Sequence, residues 1–137
     1  MHTHDFVERE IEEFLEYSKR ISEKLMEIEH SEEEMNNELN IIVKVMNIFS
    51  QKWTIEIIYL LKKKGKMRFN EIKKFLKGIS SRTLTDKLTI LVKNGYVERK
   101  VFDEVPVRVE YSLTEEGKNL AYASLPLILY LKRRFLY

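Results

Sequence analysis

The 137-residue chain contains no cysteine. Disulfides, thiolate metal sites and thiol-based redox sensing are therefore closed to it. No run of 18 apolar residues occurs, so no transmembrane helix is expected. The beginning of the chain is acidic and has no apolar h-region, so no secretory signal is expected either. A cytoplasmic protein is the natural expectation. Three elements of catalysis are also missing: a Ser-His-Asp constellation, a phosphate-cradling glycine loop and an inward carboxylate pair. The His2-x-His4 pair lacks the further ligands that a metal ion needs in fixed geometry, and His30 reads as a helix-end residue. The expectation is a protein that is not an enzyme and that carries no metal and no cofactor.

What is present is a lopsided distribution of charge. The formal net charge is +2. Residues 1–40 hold 4 basic and 13 acidic residues, a net of −9, and residues 41–137 hold 20 basic and 9 acidic residues, a net of +11. An excess of that size on one short domain attracts phosphates. Hydrophobic residues make up 44% of the chain, enough for one real core with an appendage.

The first segment reads as an amphipathic helix. Val7, Ile11, Phe14, Ser18, Ile21, Leu25 and Ile28 alternate four and three apart, a heptad seam with one polar member. The seam breaks near His30, where Ser31-Glu32-Glu33-Glu34 has the form of a capping box. A second helix carries Met35, Leu39, Ile42, Met46 and Phe49 on one stripe. These two helices can pair as a hairpin or with a second chain. Trp53 opens a third helix that runs to Lys64 and ends at Gly65. Met67-Arg68-Phe69 reads as a short strand. Asn70 is the expected N-cap of a helix through Leu76, and Gly78 stops that helix.

From there the order becomes diagnostic. Ser80 or Ser81 caps a helix from Ser81 to Lys93, in which Leu84, Leu88 and Leu91 face inward. Asn94-Gly95 turns the chain. Val97–Phe102 and Val107–Leu113 alternate as two strands around Asp103-Glu104-Val105-Pro106. Thr114 caps a final helix that Pro126 is expected to kink or split. A short helix, a turn, a second capped helix and a hairpin make a winged helix-turn-helix, which places one helix in the DNA major groove. The expected fold class is mainly α (α+β), with a two-stranded wing. The chain divides into an acidic helical extension (1–38), the winged domain (39–113) and a C-terminal helix (114–137).

The helix 81–93 turns Arg82, Asp86 and Thr89 away from its leucines, flanked by Ser81, Thr85 and Lys93. Arg82 can bind guanine through two hydrogen bonds, and Ser81, Thr83 and Thr85 can reach bases or phosphates. Asp86 either accepts from a cytosine amine or orients Arg82. In the wing, about 97–113, Arg99, Lys100 and Arg108 flank the tip and can hold backbone phosphates or enter the minor groove. Asp103 and Glu104 argue against a wholly basic tip, which makes Arg108 the main candidate there. Glu110 is expected to pair across the strands with Arg99 or Lys100. Leu125–Leu131 is too short to span a membrane, and burial in a dimer interface suits it better than a membrane surface. Lys132, Arg133 and Arg134 either reach flanking DNA or stay solvated.

Lys52-Trp53-Thr54, Arg68-Phe69-Asn70-Glu71-Ile72, Gly78-Ile79-Ser80, Asn94-Gly95-Tyr96-Val97 and Pro106-x-Arg108-Val109-Glu110-Tyr111-Ser112-Leu113-Thr114 together resemble the HxlR-type transcription regulators. These are relatives of the MarR-like winged-helix group. The resemblance runs from about Leu39 to Leu120. It implies a cytoplasmic homodimer on a pseudo-palindromic operator of double-stranded DNA. It also implies that the N- and C-terminal helices make the dimer, and that Ser81, Arg82, Thr83, Thr85 and Arg108 contact DNA. Two features depart from that pattern. Some relatives sense electrophiles through an N-terminal cysteine, which this chain lacks, and its acidic segment before residue 38 is longer than usual. That segment suits added dimer interface or a coiled coil that binds a protein partner. The leading expectation is therefore a sequence-specific DNA-binding regulator. The alternatives are a winged-helix protein-interaction module and a low-specificity chromatin-type DNA binder. No residue pattern identifies an effector.

Overall fold

The computed structural model describes residues 3–28 and 30–136, with the side chains of Phe49 and Leu136 outside the description. The elements run α1 (Thr3–Met26), α2 (Glu32–Ser50), α3 (Thr54–Lys64), α4 (Phe69–Phe75), α5 (Ser81–Lys93), β1 (Val97–Phe102), β2 (Arg108–Leu113) and α6 (Glu115–Leu136). They form two compact units, Met46–Ala123 and Met1–Val45 with Ser124–Tyr137. The architecture is the expected mainly helical winged helix-turn-helix with one two-stranded antiparallel sheet.

The unit Met46–Ala123 has a continuous apolar core. Ile57, Ile58 and Leu61 of α3 meet Ile72 of α4 and Leu84, Leu88 and Leu91 of α5. Val97 and Leu113, paired in the sheet register, close the core below the wing. The three leucines of α5 are spaced four and three apart, which is why its other face is free for solvent or ligand. The ends of the helices are specified locally. The Ser80 hydroxyl accepts from the Thr83 backbone N–H at 3.0 Å, so Ser80 rather than Ser81 caps α5. At the other end the N–H groups of Gly95 and Tyr96 donate to the carbonyls of Val92 and Leu91, with Gly95 at φ 80°. That is a Schellman closure, and its left-handed residue suits glycine.

Four expectations are corrected. Asn70 is not the cap of α4: the helix begins at Phe69, its N-cap is Arg68, and the Glu71 carboxylate accepts from the Arg68 N–H at 3.0 Å. The residue three places into the helix thus supplies the capping group. Met67-Arg68-Phe69 is no strand. Met67 alone bridges to Tyr111 through two backbone hydrogen bonds, and Phe69 is already helical. The second strand starts at Arg108 instead of Val107. Pro126 does not split α6, which runs from Glu115 to Leu136; one missing backbone hydrogen bond does not outweigh those of the turns on either side.

Trp53 differs in a subtler way. It lies just outside α3 as its N-cap, in the left-handed region at φ 80°, which is uncommon for an aromatic residue. Its ring lies under the Lys52 ammonium at 4.9 Å and packs on the core.

In the unit Met1–Val45 with Ser124–Tyr137, the seam of α1 is the side that faces inward. Ile11 is buried, and Val7, Phe14 and Ser18 are half-buried. Ile21 and Leu25 are exposed, and Ile28 lies beyond the helix end. Arg133 of α6 reaches α1, with its guanidinium 3.1 Å from Glu8 and 3.8 Å from Glu12. Arg133 is thus ion-paired in the free protein and not simply solvated. Ser31 accepts from the Glu34 N–H at 3.2 Å and caps α2 as expected. Its apolar residues are not covered: Leu39, Ile41, Ile42, Val43, Val45 and Met46 are all about half exposed.

Candidate nucleic-acid interface

Helix α5 presents the residues that the sequence assigns to base reading. Ser81, Arg82, Thr85 and Asp86 are exposed, and Thr83 is half-buried. Among the described residues Arg82 and Asp86 form no ion pair, although they stand one helical turn apart. Asp86 therefore does not orient Arg82 in the free protein, and both side chains remain available to a ligand.

The hydroxyls on this helix are already partly committed. Thr83 Oγ1 lies 2.9 Å from the Ser80 hydroxyl. Thr85 donates to the Ser81 carbonyl at 2.8 Å, and Thr89 donates to the Thr85 carbonyl at 2.7 Å. Such back-bonding uses the single hydroxyl proton, so Thr85 retains acceptor capacity only. Ser81 has the freer hydroxyl. Lys87 turns aside to donate to Gln51 at 3.0 Å, which ties α5 to the segment before α3.

The wing has two chemically distinct faces, because side chains alternate along each strand. Val97, Arg99 and Val101 share one face with their partners Leu113, Tyr111 and Val109. Lys100 and Phe102 share the other with Glu110 and Arg108. On that second face the Phe102 ring is a platform for two cations: Lys100 lies 5.0 Å and Arg108 3.9 Å from its centroid. Arg108 is further held by Glu104 at 3.3 Å and by Glu110 at 3.6 Å. Its Nε has no hydrogen-bond partner in the buried interior of this cluster.

Here the expectation for Glu110 is corrected. Lys100 does stand opposite it in the register, but the carboxylate meets Arg108 on its own strand. Residues two apart on a strand share a face, and the Phe102 ring and Glu104 already fix the guanidinium there. Arg99 and Lys100 remain exposed and unpaired by carboxylates among the described residues. An open groove runs between α4 and the wing base, lined by Arg68, Phe69, Asn70, Val107 and Arg108 among others.

Two other candidates give little. His2 of the His-x-His pair lies outside the described residues, and no group of three or more metal-ligating side chains occurs among the described residues. A cavity of about 100 Å³ between the end of α2 and α5 is lined by Asn47, Gln51, Thr54, Asn94 and Tyr96 among others. Among the described residues no helix is long and apolar enough to cross a membrane.

The geometry of α4, α5 and the wing agrees with what known proteins show. A family model described as HxlR-like helix-turn-helix matches residues 48–133. The uncharacterized HTH-type transcriptional regulator YvaP of Bacillus subtilis (strain 168) is 44% identical over 78 residues, covering 57% of this chain and 71% of that protein. An HTH-type transcriptional regulator of Methanothermobacter thermautotrophicus is 43% identical over 75 residues, 55% of this chain and 56% of that protein. Among solved structures, the reduced form of the transcriptional regulator YodB from B. subtilis superposes with a TM-score of 0.59 at 33% identity. It covers 64% of this chain and 84% of that one. The redox regulator HypR in its oxidized form gives a TM-score of 0.57 at 35% identity, over 67% of this chain and 90% of that one. The chain belongs to the HxlR-like helix-turn-helix family, a family of transcription regulators and not of enzymes.

Proposed function

We propose that this protein is a sequence-specific DNA-binding transcription regulator that acts as a homodimer on a pseudo-palindromic operator. The observation that carries the reading is α5 itself. Its N-terminal turn offers an exposed, ion-pair-free Arg82 beside Ser81, on a helix fixed from behind by three buried leucines. A side chain of that kind can bind guanine O6 and N7 in the major groove. Asp86 adds an acceptor one turn on. Thr83, whose oxygen accepts from Ser80, keeps a hydroxyl proton to donate, and Thr85 keeps an acceptor oxygen.

The wing supplies backbone contact through Arg99 and Lys100, on strands that Arg108 braces through Phe102, Glu104 and Glu110. Contacts of this kind position the protein on the duplex without reading sequence. Two such units place two recognition helices in successive major grooves about one helical turn apart. A second copy of the chain is the occupant we assign to the uncovered apolar residues of α2. Six half-exposed apolar side chains between Leu39 and Met46 are costly to leave in water, and a regulator of a two-fold operator needs a two-fold partner. A protein that reads duplex DNA in this way works where that DNA is, in the cytoplasm. Thiol-based sensing is excluded by composition.

Fluorescence anisotropy with the DNA upstream of the protein's own gene, against a scrambled duplex at two salt concentrations, tests the reading. Preference for the upstream DNA that survives the higher salt is the expected result. Equal binding abolished by salt would move the protein to the low-specificity, chromatin-type class. No binding to any duplex would favour a protein-interaction module docked through the N-terminal helices.

A further inference from the structure

Charge along the chain singles out a stretch that the helix-turn-helix motif does not. Residues 62–77 contain eight basic side chains and one acidic one, Glu71. These cations begin in the last turn of α3, at Lys62, Lys63 and Lys64, cross the link at Lys66 and continue along α4. Most are exposed.

Their surroundings set them apart from Arg108 and Arg133. Arg108 and Arg133 are each claimed by two carboxylates. No basic side chain between residues 62 and 77 has a carboxylate partner among the described residues, and Glu71 is spent on capping α4. Two of its members rest on aromatic rings instead. Lys64 lies 5.1 Å from the centroid of the Phe75 ring, which ties the end of α3 to the end of α4, and Lys62 lies 4.8 Å from that of Tyr122. A ring holds an ammonium in place without neutralising it. The charge of Lys62 and Lys64 therefore stays at the surface and available to a polyanion. Phe75 itself is 54% exposed, so the patch is open.

We propose that the end of α3, with Lys63, Lys64 and Lys66, is a second phosphate-binding face that grips the DNA backbone in addition to α5 and the wing. It rests on the reading of the protein as a DNA-binding regulator. Its partner is the duplex backbone, because a row of flexible ammonium groups without planar donor forks or base-reading amides matches point charges better than base edges. The face adds affinity and salt dependence but no sequence information.

The test uses the full chain and a duplex enriched by the wild type from a randomised pool, with a scrambled duplex as control. The variant is Lys63→Gln/Lys64→Gln/Lys66→Gln, with Lys63→Arg/Lys64→Arg/Lys66→Arg as the charge-retaining partner. The glutamine variant is expected to bind both duplexes more weakly by a similar factor. The slope of log affinity against log salt should become shallower by about 2–3, at about 0.9 for each phosphate no longer neutralised. Preference for the enriched duplex and the melting temperature should stay unchanged, and the arginine variant should bind like the wild type. Unchanged affinity and slope in the glutamine variant, with preference intact in the wild type, would overturn the second face and leave the regulator reading standing. A changed preference would overturn it as well, since it would make these residues base-reading. A wild type that enriches no duplex would overturn both.

Discussion

Arg108 stands opposite Phe102 in the wing register, and its guanidinium lies 3.9 Å from the ring centroid while Glu104 and Glu110 hold it from the sides. One residue thus joins both strands and the tip. Arg108→Ala leaves the Glu104 and Glu110 carboxylates uncompensated on the wing, so it is expected to weaken binding to all duplexes alike, by about 1 kcal/mol, the scale of one unit-charge interaction in water. Competition binding with matched and scrambled duplexes checks this. A shift in sequence preference would refute a backbone role.

Arg82 is the opposite case, exposed and without a partner carboxylate among the described residues. Arg82→Ala is expected to lose about 1–3 kcal/mol on the preferred duplex and to relax specificity at one base pair. Titration against a panel of single-base variants of the duplex reads this directly. An equal loss on every duplex would make Arg82 a phosphate-binding residue.

Gly117 packs against the turn that follows the recognition helix. A Cβ at this position would lie 2.0 Å from the Tyr96 carbonyl oxygen, itself the acceptor for the Thr114 N–H. Helix propensity favours alanine over glycine by about 1 kcal/mol. Overpacking against backbone costs about 1–3 kcal/mol, and here the upper end applies because a peptide group cannot rotate away. Gly117→Ala is therefore expected to destabilise the protein by about 2 kcal/mol net, read as a lower midpoint in urea unfolding. A raised midpoint would show that the start of α6 shifts freely.

Ile42 lies in the middle of the uncovered run of α2, 47% exposed. Ile42→Asp is expected to give a monomer in sedimentation equilibrium and to abolish the preference for a two-half-site duplex. A variant that remains dimeric would place the interface elsewhere.

Much of the winged unit is legible in the sequence. Serine at position 80, leucines at 84, 88 and 91, and Asn94-Gly95 set the limits of α5 to the residue, because caps and helical spacing act within a few positions. The wing strands are clear from their alternation and from the turn residues between them, except that the second begins at Arg108 and not Val107. The cap of α4 is not, because Asn70 and Glu71 both carry capping side chains and only the backbone path decides which one reaches an open N–H. Arg108 and Arg133 illustrate a further limit. Composition presents each as a cation free for phosphate, whereas both meet carboxylates; Glu104 and Glu110 are near Arg108 in sequence, but Glu8 lies 125 residues from Arg133.

Amino-acid order alone settles the succession of helices and wing strands apart from the strand expected at Met67-Arg68-Phe69, the buried leucine face of α5, the exposed face that carries Arg82, and the exclusion of thiol chemistry. All of these follow from local spacing or from composition. Packing in three dimensions settles the rest: which cations are spent and which are free, which carboxylate takes Arg108, and why residue 117 must lack a side chain. Those outcomes depend on side-chain distances, across the wing for Arg108 and between remote segments for Arg133 and Gly117, and no periodicity encodes them. Charge counts reveal how many cations a surface has, but pairing decides how many of them a phosphate can still find.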